Sequence, residues 1–505
     1  MHAPRVDPST ANIPVDREGL AKVRDALNQA GYTSRNVQDA LKTDQHLTAQ
    51  PGEVVVFERR LATRTPLATL MRLFLIGSTV DRADLEASLP AVPIGELERL
   101  GLIEPAGGGV RSTMRITPHG DIVIACDRNY YGDPPHHVAD VVTGVNSPAS
   151  LLADLAVRRP FDNALDLGTG GGIQALLLAN HCKRVVAVDI NPRALYFADV
   201  NAALNRVSNI ELRRGSWFEP VEGERFDVIT ANPPYVISPE STFLYRDSGM
   251  PADSLCRQLV REMPDHLEEG GFGHILISWA LEKDEEWSRP LRRWLQGLPC
   301  DAWLLHYLTD DPLTQAAKWN RPGLDLDPVD YGAALDRWTD YYEKEGIDQI
   351  AFGAVIMRRR SGPANWVRAD SITGGHGSAS ALVQRVFEAE DFLQRMGDDR
   401  ALLEVKFVLV PEHRLEQRLA SSRGQWQLQE ATLSLAEGIG FQGKLDINTA
   451  LLLQGLDGSN TLVQTVRTVS AELELSRDET AEFTETAIAM AKRLYQLGFL
   501  VPATG

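Results

Sequence analysis

Cysteine is scarce, with four in 505 residues: Cys126, Cys182, Cys256 and Cys300. No two form a C-x-x-C pair, so neither a zinc site nor a disulfide framework is indicated. The thiols read as buried side chains of a reducing compartment. Basic residues are outnumbered, 51 Lys and Arg against 69 Asp and Glu, for a net charge of −18. A surface of that sign works against generic attraction to a phosphate backbone, while leaving room for a local basic site. Long apolar runs are missing. The longest, 67–80, is interrupted by Arg72 and is too short to span a bilayer. The first residues, Met1-His2-Ala3-Pro4-Arg5-Val6-Asp7-Pro8, hold no apolar signal core. These absences predict a cytoplasmic protein with no membrane contact. The 43% hydrophobic and 24% charged residues are those of an ordinary globular chain, and its length predicts two to four domains.

What is present converges on residues 164–235. A short apolar run enters Leu165-Asp166-Leu167-Gly168-Thr169-Gly170-Gly171-Gly172, and a helix-prone run follows over 173–179. A second apolar run, 185–188, ends in Asp189. Strand, glycine loop, helix, strand is the first half of a doubly wound sheet, whose ligands bind at the carboxyl ends of the strands. The glycines let backbone approach a ligand closely. The spacing is Gly-x-Gly-x-Gly rather than the dinucleotide GxGxxG, and no Lys-Ser/Thr follows, which sets aside a P-loop. A carboxylate at Asp189 can accept both hydroxyls of a ribose. The run 226–231 reads as a buried strand stopped by Asn232-Pro233-Pro234-Tyr235, because two prolines cannot continue a ladder.

These paired motifs resemble the class I S-adenosylmethionine-dependent methyltransferases that act on planar nitrogen. The nearest likenesses are the release-factor glutamine methyltransferases and the small-domain methyltransferases of ribosomal RNA, over about 141–360. The resemblance implies S-adenosylmethionine as cofactor and no metal. It implies cofactor contacts from Asp166, Gly168, Thr169, Gly170, Gly172, Asp189, Ile190, Ser216, Trp217 and Asn232. Many relatives carry an acid where Ser216 stands, so Ser216, its backbone or a stacked Trp217 is expected to meet the adenine. The resemblance also implies that Asn232 and the Pro233 carbonyl accept the two N–H bonds of the target nitrogen, and that Tyr235 stacks on its planar group.

The remaining chain predicts an α/β fold: a seven-stranded doubly wound sheet between an N-terminal winged-helix-like region and a C-terminal α+β region. Leu20, Val23 and Leu27 recur at helical spacing, and further helices are expected over 33–41, 67–76, 81–89 and 93–100. Gly107-Gly108-Gly109 and the alternation that follows suggest a wing. Strands are expected at 122–126, 210–213, 273–278, 303–308 and 350–357. The aromatic stripe Tyr331, Leu335, Trp338, Tyr342 reads as helix core. His136-His137 invites a metal reading that no further ligand spacing completes. The glycine- and serine-rich 361–380 reads as a linker, giving domains 1–140, 141–360 and 381–505. In the last, strands at 404–409, 414–419 and 425–433, a turn at Leu456-Asp457-Gly458 and two closing helices suggest a second winged-helix-like module.

The leading function is methyl transfer to a planar nitrogen of a macromolecule, with a glutamine or asparagine side chain in a protein or ribonucleoprotein preferred. A nucleic-acid base amino group in rRNA or DNA is the alternative. A cofactor-sensing winged-helix regulator is a further alternative, which the intact Asp166, Asp189, Asn232 and Tyr235 disfavour.

Overall fold

The computed structural model describes residues 15–43, 51–128, 139–320, 327–362, 365–372, 377–422 and 425–503. They fall into two compact units. One holds the chain up to Ala153 together with Arg159–Ser371; the other holds Asp154–Arg158 and the chain from Ile372 onward.

The first unit begins with helices Arg17–Gln29, Ser34–Leu41, Pro51–Arg60 and Pro66–Leu70, the last running on through Met71–Ile76. The Asp16 side chain caps the first by accepting the Gly19 amide at 2.9 Å, and Leu20, Val23 and Leu27 bury its apolar stripe. Short helices Arg82–Ser88 and Ile94–Arg99 precede a hairpin of β1 (Ile103–Ala106) and β2 (Gly109–Ser112), and Val80 bridges to Val110. A second hairpin, β3 (Met114–His119) and β4 (Ile122–Asp127), leads toward the sheet. Its free edge is satisfied by side chains. Asn201 exchanges hydrogen bonds with the Ala125 backbone at 2.7 and 2.8 Å, and Asn205 does the same with Val123 at 2.8 and 2.7 Å. Two amides thus stand in for a missing strand.

The sheet contains β5 (Phe161–Leu167), β6 (Cys182–Asp189), β7 (Ile210–Arg214), β8 (Phe226–Ala231), β9 (Leu267–Leu281), β10 (Cys300–Asp310), β11 (Gln349–Arg359) and β12 (Val367–Ser371). Their spatial order is β12-β10-β11-β9-β8-β5-β6-β7. The pairs along β7-β6-β5-β8-β9 are parallel, and β11 is antiparallel to both neighbours. Eight strands replace the seven expected. The extra one, β12, lies in the stretch read from its composition as a linker, and pairs parallel with β10 from Ala302↔Val367 to His306↔Ser371. Val367 and Ala369 pack on the core and Trp303 Nε1 donates to Asp370 at 2.8 Å, so side-chain packing overrides local turn composition there.

The near-continuous apolar runs of β5, β6 and β8 follow from burial on both faces. One face packs on helices Ser254–Glu262 and Arg289–Leu295, through Leu255, Leu259, Leu291 and Trp294. Helices Ile173–Ala179 and Pro192–Leu204 join β5 to β6 and β6 to β7. Strand order reverses at β5, between β6 and β8, and the crevice above that point is where this architecture binds ligands.

The second unit carries helix Ser380–Met396 and the strands β13 (Lys406–Leu409), β14 (His413–Ser422), β15 (Gln425–Leu435), β16 (Gln442–Leu445), β17 (Asp457–Thr461) and β18 (Leu500–Pro502). β14-β15-β16 is an antiparallel meander, and β13 lies between β17 and β18. The turn expected at Leu456-Asp457-Gly458 instead opens β17, because the edge of β13 is there to pair with it. Helices Leu462–Glu472 and Arg477–Gln496 each start on a capping box, Thr461 with Gln464 and Ser476 with Glu479.

Candidate functional site

The glycine loop leaves the end of β5 held by two carboxylates. Asp166 is buried at 2% exposure, and all its contacts are internal. One oxygen accepts Thr169 Oγ1 at 2.7 Å and the Ala175 amide at 3.1 Å; the other accepts Thr230 Oγ1 from β8 at 3.1 Å. Burial pushes its carboxyl up to about 6 against the pull of those bonds. Asp189, at the end of β6, accepts the Gly170 amide with one oxygen and the Asn191 amide with the other, each at 2.8 Å. Burial raises its pKa, and the backbone donors oppose the rise. A carboxylate offers about four acceptor sites, so Asp189 keeps capacity for a further donor. Gly170 lies at φ +53°, and a Cβ there would meet nothing within 4 Å, so the loop opens onto free space. Gly172, at φ +82°, lies against helix Pro192–Leu204, where a Cβ would stand 3.2 Å from that of Ala198.

Two apolar side chains flank this loop. Ile190, between the half-buried Asp189 and the buried Asn191, is 55% exposed. Trp217 adopts φ +48°, uncommon for a bulky residue, and its ring edge comes within 3.6 Å of a Cβ built at Gly168. Ser216 beside it donates its amide to Glu219 at 3.4 Å, so an acid does approach this position, from three residues further on.

The proline turn closes the crevice at the end of β8. Asn232 Oδ1 is buried and has no hydrogen-bond partner. Pro233 is buried beside it. The Tyr235 ring lies 5.2 Å from Phe352, tilted by 45°, and Phe352 lies 6.4 Å from Tyr307. Burial raises the Tyr235 phenol above its ordinary value, so it stays neutral.

The structure therefore brings the predicted residues of the two motifs to neighbouring strand ends. It also adds residues with weaker sequence signals. Thr230 is a fully buried polar side chain in a mostly apolar strand, a cue legible in retrospect. Phe352 comes from a distant strand. Asp140 carries no motif, yet its carbonyl accepts Asn191 Nδ2 at 2.8 Å, its Oδ1 is buried without a partner, and the Ala139 carbonyl accepts the Leu244 amide at 3.0 Å. Among the described residues, no three His, Cys, Asp or Glu side chains cluster as a metal site. His136-His137 lies outside the described residues. All four cysteines are free and buried, and burial pushes each thiol up to about 12.

A doubly wound sheet with an acid at the tip of β6, an open glycine loop and an unpaired acceptor at the end of β8 defines a nucleoside-cofactor transferase. The family described as methyltransferase small domain matches residues 143–286, and domains of unknown function match 29–113 and 384–502. A putative protein N5-glutamine methyltransferase of Methanocaldococcus jannaschii is 36% identical over 138 residues, 26% of this chain and 68% of that protein. A release factor glutamine methyltransferase of Xylella fastidiosa is 36% identical over 158 residues, 28% of this chain and 54% of its own length. One of Aliivibrio fischeri is 45% identical over 91 residues, 17% of this chain and 32% of its own. The chain thus spans about a third to a half of these two relatives. The chain belongs to the class I S-adenosylmethionine-dependent methyltransferase family that contains them.

Proposed function

We propose that this chain transfers a methyl group from S-adenosylmethionine to the side-chain amide nitrogen of a glutamine in a protein. The observation that carries the reading is Asn232 Oδ1, an acceptor buried without a donor. Leaving such an atom unpaired costs about 1–3 kcal/mol, a cost relieved when a substrate brings the donor. A primary amide brings two N–H groups. Asn232 Oδ1 takes one, and the carbonyl of Pro233, a residue with no N–H of its own, takes the other. Tyr235 lies against the amide plane, backed by Phe352. Held by both N–H bonds, the nitrogen turns its lone pair toward the donor. No general base is required, because the nitrogen becomes acidic as it is alkylated and its proton leaves to water. The chain contributes orientation and fixed dipoles.

The bound cofactor supplies a methyl group already activated on a sulfonium sulfur. The residues fit it: the loop opens onto free space at Gly170, between Gly168, Thr169 and Gly172, and the Asp189 carboxylate would accept ribose hydroxyls. Ile190 and Trp217 would flank the adenine with Ser216 at its edge, and Asp166 fixes Thr169.

A macromolecular substrate is favoured by the size of the flanks and by the activities of the relatives, and the net charge of −18 favours protein over nucleic acid. We read residues 66–112 as a winged-helix-like module that docks protein; the succession of helix, Val80 bridge, two helices and hairpin supports this. We read 1–140 and 381–505 as domains, the last also winged-helix-like, extend 141–360 to 371 to take in β12, and infer a cytoplasmic location. No helix among the described residues is long and apolar enough to cross a membrane. Labelled cofactor incubated with the protein and a cell lysate tests the reading. Label removed by protease supports it, and label removed only by nuclease overturns it.

A further inference from the structure

Antiparallel neighbours β10 and β11 could be joined by a turn of a few residues. The chain instead runs out through 311–348, including helices Pro312–Asn320 and Pro328–Lys344. This excursion lies beyond the residues, 143–286, that match the methyltransferase small domain. It packs on the loop that follows the Asn-Pro-Pro-Tyr turn. Tyr342 Oη donates to the Ile237 carbonyl at 2.8 Å, Trp338 Nε1 donates to Glu240 at 3.3 Å, and the Ala252 amide donates to Tyr341 Oη at 2.9 Å.

Inside that packing lies Arg246, 7% exposed. Its Nε donates to one oxygen of Asp247 at 2.7 Å and its Nη2 to the other at 3.1 Å. Nη2 also reaches Glu240 at 3.0 Å, and Nη1 reaches the Trp319 carbonyl at 3.3 Å. The guanidinium stacks over the rings of Phe243 and Trp338, 5.1 and 5.6 Å from their centres. Asp247 accepts the amides of Thr242 and Phe243 at 3.0 and 3.1 Å and bridges back to Val236, the neighbour of Tyr235. Burying an ion pair is costly, and what it secures is one arrangement of a loop without regular structure. That arrangement leaves Leu244 and Tyr245 47% and 45% exposed. Arg246 is the sole cation between Val236 and Met250 and is committed to Asp247 and Glu240, so this loop itself presents exposed apolar side chains and no free cation.

We propose that Leu244 and Tyr245 grip an apolar side chain of the polypeptide beside the methylated amide, and that Arg246, locked between Asp247 and helix Pro328–Lys344, is the positioning residue that presents them. The proposal rests on the reading of a polypeptide amide as acceptor. It makes the excursion a determinant of substrate choice that the matched domain lacks.

The test uses the full chain, labelled cofactor and a bacterial peptide release factor as probe. The Leu244→Ala, Tyr245→Ala double variant is expected to raise the KM for the release factor about tenfold or more, with cofactor affinity held. Arg246→Lys keeps the charge but loses the two-pronged bond, and is expected to raise KM and speed hydrogen exchange at the Thr242 and Phe243 amides. Wild-type transfer with KM unchanged in the double variant would overturn this proposal alone. Unchanged exchange in Arg246→Lys would remove Arg246 as the positioning residue. Absence of wild-type transfer to any protein, in the lysate or with the release factor, would remove both this proposal and the reading beneath it.

Discussion

Asp189 holds Gly170: the carboxylate at the tip of β6 accepts the loop amide at 2.8 Å, across the mouth of the crevice between β5 and β6. The contact fixes the loop and aims the remaining lone pairs of Asp189 outward. Asp189→Ala is therefore expected to weaken S-adenosylmethionine binding by about tenfold or more, since a hydrogen bond to a charged group contributes roughly 1.5–3 kcal/mol. Titration calorimetry checks this, with circular dichroism to show that the fold persists. Unchanged affinity would take Asp189 out of the site.

Asp166 supports the same loop from within the core, which makes stability depend on pH. Its folded carboxyl sits at about 6 against an ordinary value of 3.8, so the folded state holds the proton more tightly. The resulting stabilisation is full below pH 3.8 and is lost as pH rises through about 6. A shift of this size corresponds to about 3 kcal/mol. Asp166→Asn cannot ionise. Urea unfolding of both proteins from pH 4 to 7 should show the wild type losing stability relative to the variant as pH rises; parallel curves would contradict this.

Asn232→Ala removes the unpaired acceptor at the end of β8. Transfer should fall by about 10²–10³, the loss seen when one preorganised group is removed from an electrostatic site. Cofactor affinity should change far less. Steady-state rates and calorimetry on the same preparation separate the two. Near-normal turnover would make the turn a structural feature only.

Tyr235 is expected to act through its ring. Burial holds the phenol neutral, so no limb of the pH–rate profile should belong to it. Tyr235→Phe should keep most activity, while Tyr235→Ala should lose about tenfold or more in kcat/KM, in line with a stacking contribution of about 1–3 kcal/mol. Equal loss in both variants would point to the hydroxyl instead.

The site was legible in sequence because its signals are local. Gly168 to Gly172 must turn sharply, Asp189 must end a strand, and Pro233-Pro234 must stop one. Residues that join the site through the sheet left no comparable trace. Phe352 reaches Tyr235 from a strand far along the chain, and Asp140 meets Asn191 through its backbone carbonyl. The same limit explains β12 and β17. Their glycine-, serine- and aspartate-bearing sequences read as linker and turn, and only the waiting edges of β10 and β13 made them strands. The Leu20, Val23 and Leu27 stripe was readable because amphipathic spacing is itself a local pattern.

The central claim is methylation of a glutamine amide in a protein. The most direct measurement is mass spectrometry of the release factor, or of the labelled lysate protein, after incubation with the full chain and S-adenosylmethionine. The account predicts one added methyl on a glutamine side chain, absent with Asn232→Ala. A methyl on a nucleic-acid base, or on a lysine or arginine, would contradict it.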